Sequence, residues 1–340
     1  MRPFHILIST WMFMTVPGCI HTTGPKNGES LSRESSTKPR DTLVHSIPEE
    51  TIKILDTLEN SQIMAITSYQ DLLELFEKLN YTPEAWQAGI REVPRVYLTI
   101  IGDRWGSTSS KEVTIENKKR IFFRGIAPMI LRANELILDD RQRLDQLRSA
   151  FMQDQPLTET DQKWLLNLAG VYKVEGENPP TASMLNELWK KVDIVPPSLA
   201  LAQGAEESGW GTSRFAAEGN AVYGQWTWGE NAIAPKEQRK ELGNYGIAAF
   251  GSLQESVSGY MLNLNTHPAY AELRSKRAEL RAKGEKISGS VLAEQLIKYS
   301  ERGEEYVKTL KQMMEYNRLE PTDDAYLSAD PPIFLVPAVE

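Results

Sequence analysis

The sequence predicts a mainly α-helical protein of the α+β class with one small β element. Apolar residues recur at the spacing of an amphipathic helix through most of the chain beyond residue 47. Prolines or short polar residues stand before several of these runs, as is typical of helix starts. Between residues 229 and 250 the helical periodicity fails and the segment is polar. We expect this segment to form a small β-hairpin flap between two helical blocks.

An N-terminal helical extension is predicted over residues 47–117. Pro48 opens one amphipathic run, and residues 68–79 carry a second. The segment 93–101 is rich in β-branched residues but contains a proline. Because proline removes a donor from a β-ladder, we expect this segment to be extended without forming a central strand.

Most of the predicted helices lie in residues 118–320. A long helix is expected over residues 117–154, and Pro128 is expected to break or kink it near its first third. Further helices are expected at 182–192, 253–265, 268–282, 288–300 and 304–317. The proline-rich tail 321–340 is expected to be loosely ordered.

The chemistry of the chain is concentrated in residues 196–211. Tandem prolines predict a helix that begins at about Pro197 or Ser198, and the glycines at 209 and 211 predict its end. Glu207 then lies on the last turn of a largely buried helix, where burial and the helix dipole both raise a carboxyl pKa. A general acid needs such a raised pKa, so Glu207 is the candidate catalytic residue. Glu206 points about 100° away and is interpreted as a surface carboxylate.

Aromatic residues are dense directly after this helix. Three of the eight tryptophans lie between residues 210 and 228, together with tyrosine and polar amides. This mixture suits a groove that stacks on sugar rings and hydrogen-bonds N-acetyl groups, although an aromatic core is the alternative interpretation. The candidate substrate-binding residues are Gln203, Trp210, Asn220, Tyr223, Gln225, Trp226 and Trp228.

Several ordered motifs resemble the glucosaminidase family of peptidoglycan hydrolases, and in particular its Bax-type branch. They are residues 205–213 (AEESGWGTS), 220–224 (NAVYG), 250–257 (FGSLQESV), 260–270 (YMLNLNTHPAY) and 299–307 (YSERGEEYV). The similarity covers roughly residues 90–320. It implies a lysozyme-like helical lobe over residues 118–320 that forms the catalytic domain, with the β-hairpin flap over its groove.

The resemblance also implies an activity. The expected function is endo-acting hydrolysis of β-1,4 bonds of peptidoglycan glycan strands after N-acetylglucosamine, without a cofactor and with Glu207 as general acid. The family places a second carboxylate in the flap, for which Glu241, then Glu237, then Glu230 are the candidates. Two alternatives stay open: a lytic transglycosylase that uses the same glutamate, and a non-catalytic lipoprotein that binds peptidoglycan.

One position departs from the family pattern. Related enzymes use a tyrosine directly before the Ser-Leu-x-Glu-Ser motif, where this chain has Phe250. Because phenylalanine cannot donate a hydrogen bond, a tyrosine-assisted mechanism would need another residue. Tyr245 and Tyr223 are the candidates for that replacement.

The N-terminus predicts secretion and a lipid anchor. Residues 1–18 have the positive charge, short apolar run and small residues of a signal peptide. Residues 16–19 (VPGC) resemble a bacterial lipobox with Cys19, the only cysteine, as the acylated residue. Residue 20 is not aspartate, which favours the periplasmic side of the outer membrane. Residues 19–46 are polar and are expected to form a flexible tether.

Other classes of function have no support in the sequence. Three of the four histidines precede residue 46, so His267 stands alone in the folded region, which argues against a metal site or a serine-histidine triad. No glycine-rich loop follows a strand, which argues against nucleotide binding. The net charge of −8 argues against a nucleic-acid partner. We expect a monomer.

Overall fold

The computed structural model describes residues 61–100, 113–236 and 243–338. The predicted signal peptide, Cys19, the tether, Glu237 and Glu241 lie outside these residues. The described chain is mainly helical with a few short strands, so the predicted fold class is confirmed. None of its helices combines the length and the apolar character that crossing a membrane requires.

Eleven α-helices are formed within the described ranges. They are α1 (Tyr69–Lys78), α2 (Pro83–Gln87), α3 (Ile115–Met152), α4 (Glu159–Val171), α5 (Ala182–Lys191), α6 (Pro197–Ser208), α7 (Arg214–Gly219), α8 (Leu253–Thr266), α9 (Ala271–Lys283), α10 (Gly289–Ala293) and α11 (Glu304–Tyr316). Short 3-10 helices cover Pro268–Tyr270 and Glu320–Asp324.

The strands of the described chain form three small sheets. The strands are β1 (Gln62–Ile66), β2 (Glu92–Val93), β3 (Val96–Leu98), β4 (Trp226–Thr227), β5 (Ala232–Ile233), β6 (Gly246–Ala248), β7 (Tyr326–Leu327) and β8 (Ile333–Pro337). The orders are β1-β8-β3 and β2-β7, both parallel, and β4-β6-β5, which is antiparallel. Strands β5 and β6 of the last sheet lie in the segment 229–250 for which the sequence predicts a flap, and β4 lies just before that segment. This sheet and the loop from β4 to β5 are called the flap below.

The C-terminal tail is not loosely ordered, and that prediction is wrong. Strand β8 lies between β1 and β3, with Phe334 paired to both Ile63 and Tyr97. Phe334, Leu335 and Val336 are buried. The prolines of this region border a short apolar run, and such a run can form a strand that is buried on both faces.

The N-terminal extension is also more than helical. Its described part alternates strands β1, β2 and β3 with the short helices α1 and α2. The predicted helical extension therefore also contains strands within residues 61–100, and strand β1 was not expected. The segment after Pro94 behaves as expected, because β3 is extended and stands at the edge of its sheet.

Helix α3 runs for 38 residues without a break, although Pro128 lies inside it. Of the break or kink that the sequence predicts at Pro128, the break does not occur. The residues around Pro128 are buried, with Met129 and Ile130 fully so, and α3 packs there against α6 and α8. Tertiary packing of this segment offsets the hydrogen bond that the proline removes.

Helix α6 lies in the centre of the larger hydrophobic core. Residues 197–205 of this helix are all buried, and α3, α10 and α11 pack around it. Asp323 accepts hydrogen bonds from Ser198 N, Ser198 Oγ and Gly289 N, so it caps the first turns of α6 and α10 together. A second core joins α4 and α5 to the C-terminal half of α3. The last turn of α6 is thus held in a rigid setting.

Candidate active site

Glu207 lies on the last turn of α6, as the sequence predicts. The helix begins at Pro197 and ends at Ser208, and Gly209 adopts the left-handed conformation with φ 57°. Burial raises the pKa of Glu207, and the neighbouring charge of Glu206 raises it further. A hydrogen bond from Tyr306 and the charge of Arg302 act in the opposite direction without cancelling the effect of burial. The protonated form of the Glu207 carboxyl is therefore more favoured in the folded protein than it is for a free glutamate side chain in water.

A tyrosine on α11 holds one oxygen of this carboxyl. Tyr306 Oη donates a hydrogen bond to Glu207 Oε1 at 2.8 Å. Burial raises the pKa of Tyr306 well above its usual range, so its hydroxyl stays protonated and remains a donor at neutral pH. The carboxyl thus has one oxygen fixed by a neutral donor.

The other oxygen of Glu207 faces the loop after α7. A Cβ built on Gly224 would lie 3.6 Å from Glu207 Oε2, and Gly224 has φ 57°. Glycine suits this position twice, because it adopts positive φ without strain and adds no bulk beside the carboxyl. Oε2 is therefore the oxygen that Tyr306 does not hold, and it lies beside a residue without a side chain.

Glu206 has a different environment from Glu207. Its Oε1 accepts a hydrogen bond from Arg302 at 2.6 Å, and this guanidinium also lies 5.3 Å from the centre of the Tyr306 ring. The side chain of Glu206 is 24% exposed, so it is a partly exposed ion-pair partner at the edge of the site. This agrees with its interpretation as a carboxylate without a role in the chemistry.

The flap presents two exposed tryptophans. Trp226 is 47% exposed and Trp228 is 56% exposed, which is unusual for such large apolar side chains. The Trp226 ring stacks on Tyr245 with centroids 4.8 Å apart, which fixes its orientation. Of the seven predicted substrate-binding residues, these two combine aromatic character with wide exposure.

Two of the predicted contact residues are buried, and those predictions are wrong. Gln203 is 0% exposed, and its amide bonds the hydroxyls of Tyr306 and Tyr260. Tyr223 is 1% exposed, and its ring stacks on Tyr260 with centroids 3.8 Å apart. The helical spacing that brings Gln203 onto the same face as Glu207 also directs it into the core.

The other predicted contact residues serve local structure. Asn220 Nδ2 donates to Phe250 O, and Gln225 Nε2 donates to Gly259 O. Trp210 is partly buried, where it packs edge-on against Phe122 and Phe123. These contacts fasten the loop after α6 and the segment after α7 to their neighbours.

The structure describes one of the three candidates for the second carboxylate. Glu230 is exposed in the flap between β4 and β5, whereas Glu237 and Glu241 lie outside the described residues. Glu255 of the Ser-Leu-x-Glu-Ser motif accepts a hydrogen bond from Gly251 N at 2.9 Å, and Ser252 Oγ accepts one from Glu255 N. The motif therefore caps the start of helix α8, with Ser252 as its N-cap residue.

The tyrosine that reaches Glu207 is not one of those proposed from the sequence. Phe250 occupies the motif position and packs beside Gly259, while Tyr306, Tyr299 and Tyr270 lie around the carboxyl. The rings of Tyr299 and Tyr306 stack with centroids 5.5 Å apart. Both residues lie in segment 299–307, whose resemblance to the family was the available signal for them.

No group of three or more histidine, cysteine or carboxylate side chains within the described ranges could hold a metal ion. His267 Nδ1 accepts a hydrogen bond from Ala269 N at 3.2 Å and caps the turn after α8. This is the structural role that its position before a proline suggests.

The helical lobe, the small antiparallel flap and the partly buried Glu207 at a helix end are features that a glycosidase-like protein needs, and the comparisons with known proteins support that class. Residues 182–319 match the glucosaminidase family, described as mannosyl-glycoprotein endo-beta-N-acetylglucosaminidase. The chain is also 33% identical over 202 residues to Protein bax of Escherichia coli (strain K12), which covers 59% of this chain and 70% of that relative. No solved structure matches the chain. The chain therefore belongs to the Bax-type glucosaminidase family, as its motifs indicate.

Proposed function

We propose that the protein is an endo-acting glycoside hydrolase that cleaves β-1,4 bonds of peptidoglycan after N-acetylglucosamine. The observation that carries this proposal is the state of Glu207. Burial raises the pKa of Glu207, Tyr306 donates a hydrogen bond to Oε1, and Oε2 lies beside Gly224. A proton on Oε2 can be delivered to the leaving oxygen of a glycosidic bond.

Cleavage also requires that positive charge on the sugar be stabilised or captured. A second carboxylate performs this step in most glycoside hydrolases. Glu241, Glu237 and Glu230 remain our candidates in that order, because the family resemblance implies a second carboxylate in the flap segment, to which all three belong in the sequence. Trp226 and Trp228 would hold the glycan strand by stacking on its sugar rings, since both present exposed aromatic surface.

The decisive experiment is digestion of purified peptidoglycan followed by mass spectrometry of the product ends. A hydrolase that cleaves after N-acetylglucosamine releases fragments with N-acetylglucosamine at the reducing end. Anhydro ends would identify a lytic transglycosylase that uses the same glutamate. Binding to several wall preparations without any cleavage would identify a non-catalytic peptidoglycan-binding lipoprotein.

The proposed location follows from the N-terminal sequence. Acylation of Cys19 would anchor the protein at the periplasmic side of the outer membrane, with residues 19–46 as a tether towards the wall. Mass spectrometry of protein extracted from membranes should find a diacylglyceryl group on Cys19. A soluble form that begins at another residue would contradict the lipid anchor without affecting the proposed reaction.

A further inference from the structure

A chain of hydrogen bonds runs in one direction from the core to Glu207. Tyr260 Oη donates to Gln203 Oε1 at 2.6 Å, and Gln203 Nε2 donates to Tyr306 Oη at 3.0 Å. Tyr306 Oη then donates to Glu207 Oε1 at 2.8 Å. The four side chains come from α6, α8 and α11, and the first three members are fully buried.

We propose that Gln203 and Tyr260 are positioning residues that determine the direction in which Tyr306 donates, and so the protonation of Glu207. The proposal rests on the proposed role of Glu207 as general acid. It assigns a role to a residue, Tyr260, that touches neither Glu207 nor the groove.

The single hydroxyl proton of Tyr306 can be donated to one neighbour at a time. Tyr306 can therefore donate to Glu207 only while its other neighbour does not take that proton. Gln203 presents Nε2 to Tyr306 because its carbonyl oxygen is occupied by the hydroxyl of Tyr260. Without that hydroxyl the amide can turn over and present Oε1 to Tyr306. The phenol proton would then point to Gln203, and its oxygen lone pairs would face the carboxyl.

The Tyr260 hydroxyl is held in place by packing of its ring and not by the hydrogen bonds that link it to Glu207. The Tyr260 ring stacks on Tyr223 at an interplanar angle of 8°, so packing fixes the ring. Tyr260→Phe therefore removes the terminal donor and leaves the stacked pair in place. Tyr260→Phe is therefore the smallest substitution that can reverse the direction of donation along these hydrogen bonds.

Four other side chains lie near Glu207 and affect its charge environment. Glu206 and Arg302 carry opposite charges and pair with each other at 2.6 Å. Burial raises the pKa of Tyr299 well above its usual range and that of Tyr270 to about 12, so both are neutral where Glu207 titrates. None of these four residues is changed in the test variants.

The test is a direct titration of Glu207 in the full chain with carbon-13-labelled glutamate. The difference from the Glu207→Gln spectrum assigns the signal. Tyr306→Phe should raise the titration midpoint by about one pH unit, because a hydrogen bond to the charged form is lost. Tyr260→Phe should raise it in the same direction, and the double variant should show no further rise.

Two more variants distinguish a change in the direction of the Tyr306 hydrogen bond from a general loss of stability. Gln203→Met removes both amide bonds but leaves Tyr306 no competing acceptor, so it should raise the midpoint less than Tyr260→Phe does. If Tyr260→Phe does not fold, Gln203→Met is compared with Tyr306→Phe, which should also raise the midpoint more than Gln203→Met does. Thr158→Ala removes the side-chain cap of α4, far from the chain of bonds, and should lower the melting temperature without moving the midpoint.

The outcomes are distinct from those that test the proposed function. An unchanged midpoint in Tyr260→Phe, or a larger rise in Gln203→Met than in Tyr260→Phe, overturns the inference. On peptidoglycan, the alkaline limb of the activity profile should move with the midpoints. If the midpoints move as expected and no variant or wild-type protein degrades peptidoglycan, the proposed function fails while the positioning role stands.

Discussion

Tyr306 and Glu207 are 99 residues apart in the sequence, and their side chains meet at 2.8 Å. Two opposing effects act on the pKa of the Glu207 carboxyl. Burial favours the protonated form of Glu207, and the hydroxyl of Tyr306 favours the ionised form. A general acid needs such a balance, because it must be protonated before the reaction and ionised after the proton has left.

Replacing Glu207 is the most direct test of the site. Glu207→Gln keeps the size of the side chain and an oxygen that can accept from Tyr306, but it removes the acidic proton. Activity on peptidoglycan should fall by about 10²–10⁴-fold or more, which is the usual contribution of general acid catalysis. The rate of release of soluble fragments measures this loss.

Glu206→Gln is the matched control for that variant. The substitution is chemically identical and lies one residue away, but it affects an ion pair with Arg302 at the edge of the site. Partly exposed ion pairs contribute little, so turnover should stay near the wild-type value. Equal losses in the two variants would mean that Glu207 has no special role.

The dependence of stability on pH gives a second prediction for Glu207. Its pKa is raised in the folded state above the ordinary value of 4.5. Such a group stabilises the fold fully below its unfolded pKa, and the contribution is lost as the pH rises through the folded pKa. Glu207→Gln should therefore match wild type near pH 4 and become relatively more stable towards pH 8. Urea denaturation at several pH values measures the difference, and a constant difference across that range would contradict the prediction.

The position of Glu207 on the last turn of α6 could be predicted from the sequence because the signals are local. The prolines that begin α6, the glycines that end it and the position of the glutamate between them all lie within 16 residues, 196–211. Tyr306, Gln203 and Tyr260 form a network that joins residues up to 103 positions apart. A pattern of apolar spacing contains no information about which faces of distant helices meet, so Gln203 was assigned to the groove when it lies in the core.

The exposed tryptophans of the flap lead to a third prediction. Trp226→Ala or Trp228→Ala should raise KM for peptidoglycan several-fold. The reason is that stacking of an aromatic side chain on a sugar ring contributes about 1 kcal/mol or more. The value of kcat should change less, because stacking on a sugar ring holds the glycan strand and takes no part in the proton transfer from Glu207. Trp164→Ala is the control, because this tryptophan packs under Arg143 at the distant end of α3. A loss in kcat alone would place the flap rings in the chemistry and not in binding.

The order of the C-terminal tail could not be predicted for a related physical reason. Strand β8 pairs with β1 across about 270 residues of chain, and a run of five residues has no periodicity of its own. The prolines around it are compatible with both a loose tail and a bordered strand. Only the partners β1 and β3 decide between the two.

The last prediction tests that strand. Leu335 is buried in β8 between β1 and β3, so Leu335→Ala should lower the free energy of unfolding by about 2–5 kcal/mol, the usual cost of such a cavity. Asp330→Ala changes an exposed residue directly before the strand and should stay within about 0.5 kcal/mol of wild type. Urea unfolding followed by circular dichroism measures both. Because β8 and Asp323 belong to the same C-terminal segment, and Asp323 caps the helix that carries Glu207, the loss should appear in a single transition of the whole lobe. If Leu335→Ala is as stable as Asp330→Ala, the strand does not hold the N-terminal extension to the rest of the chain.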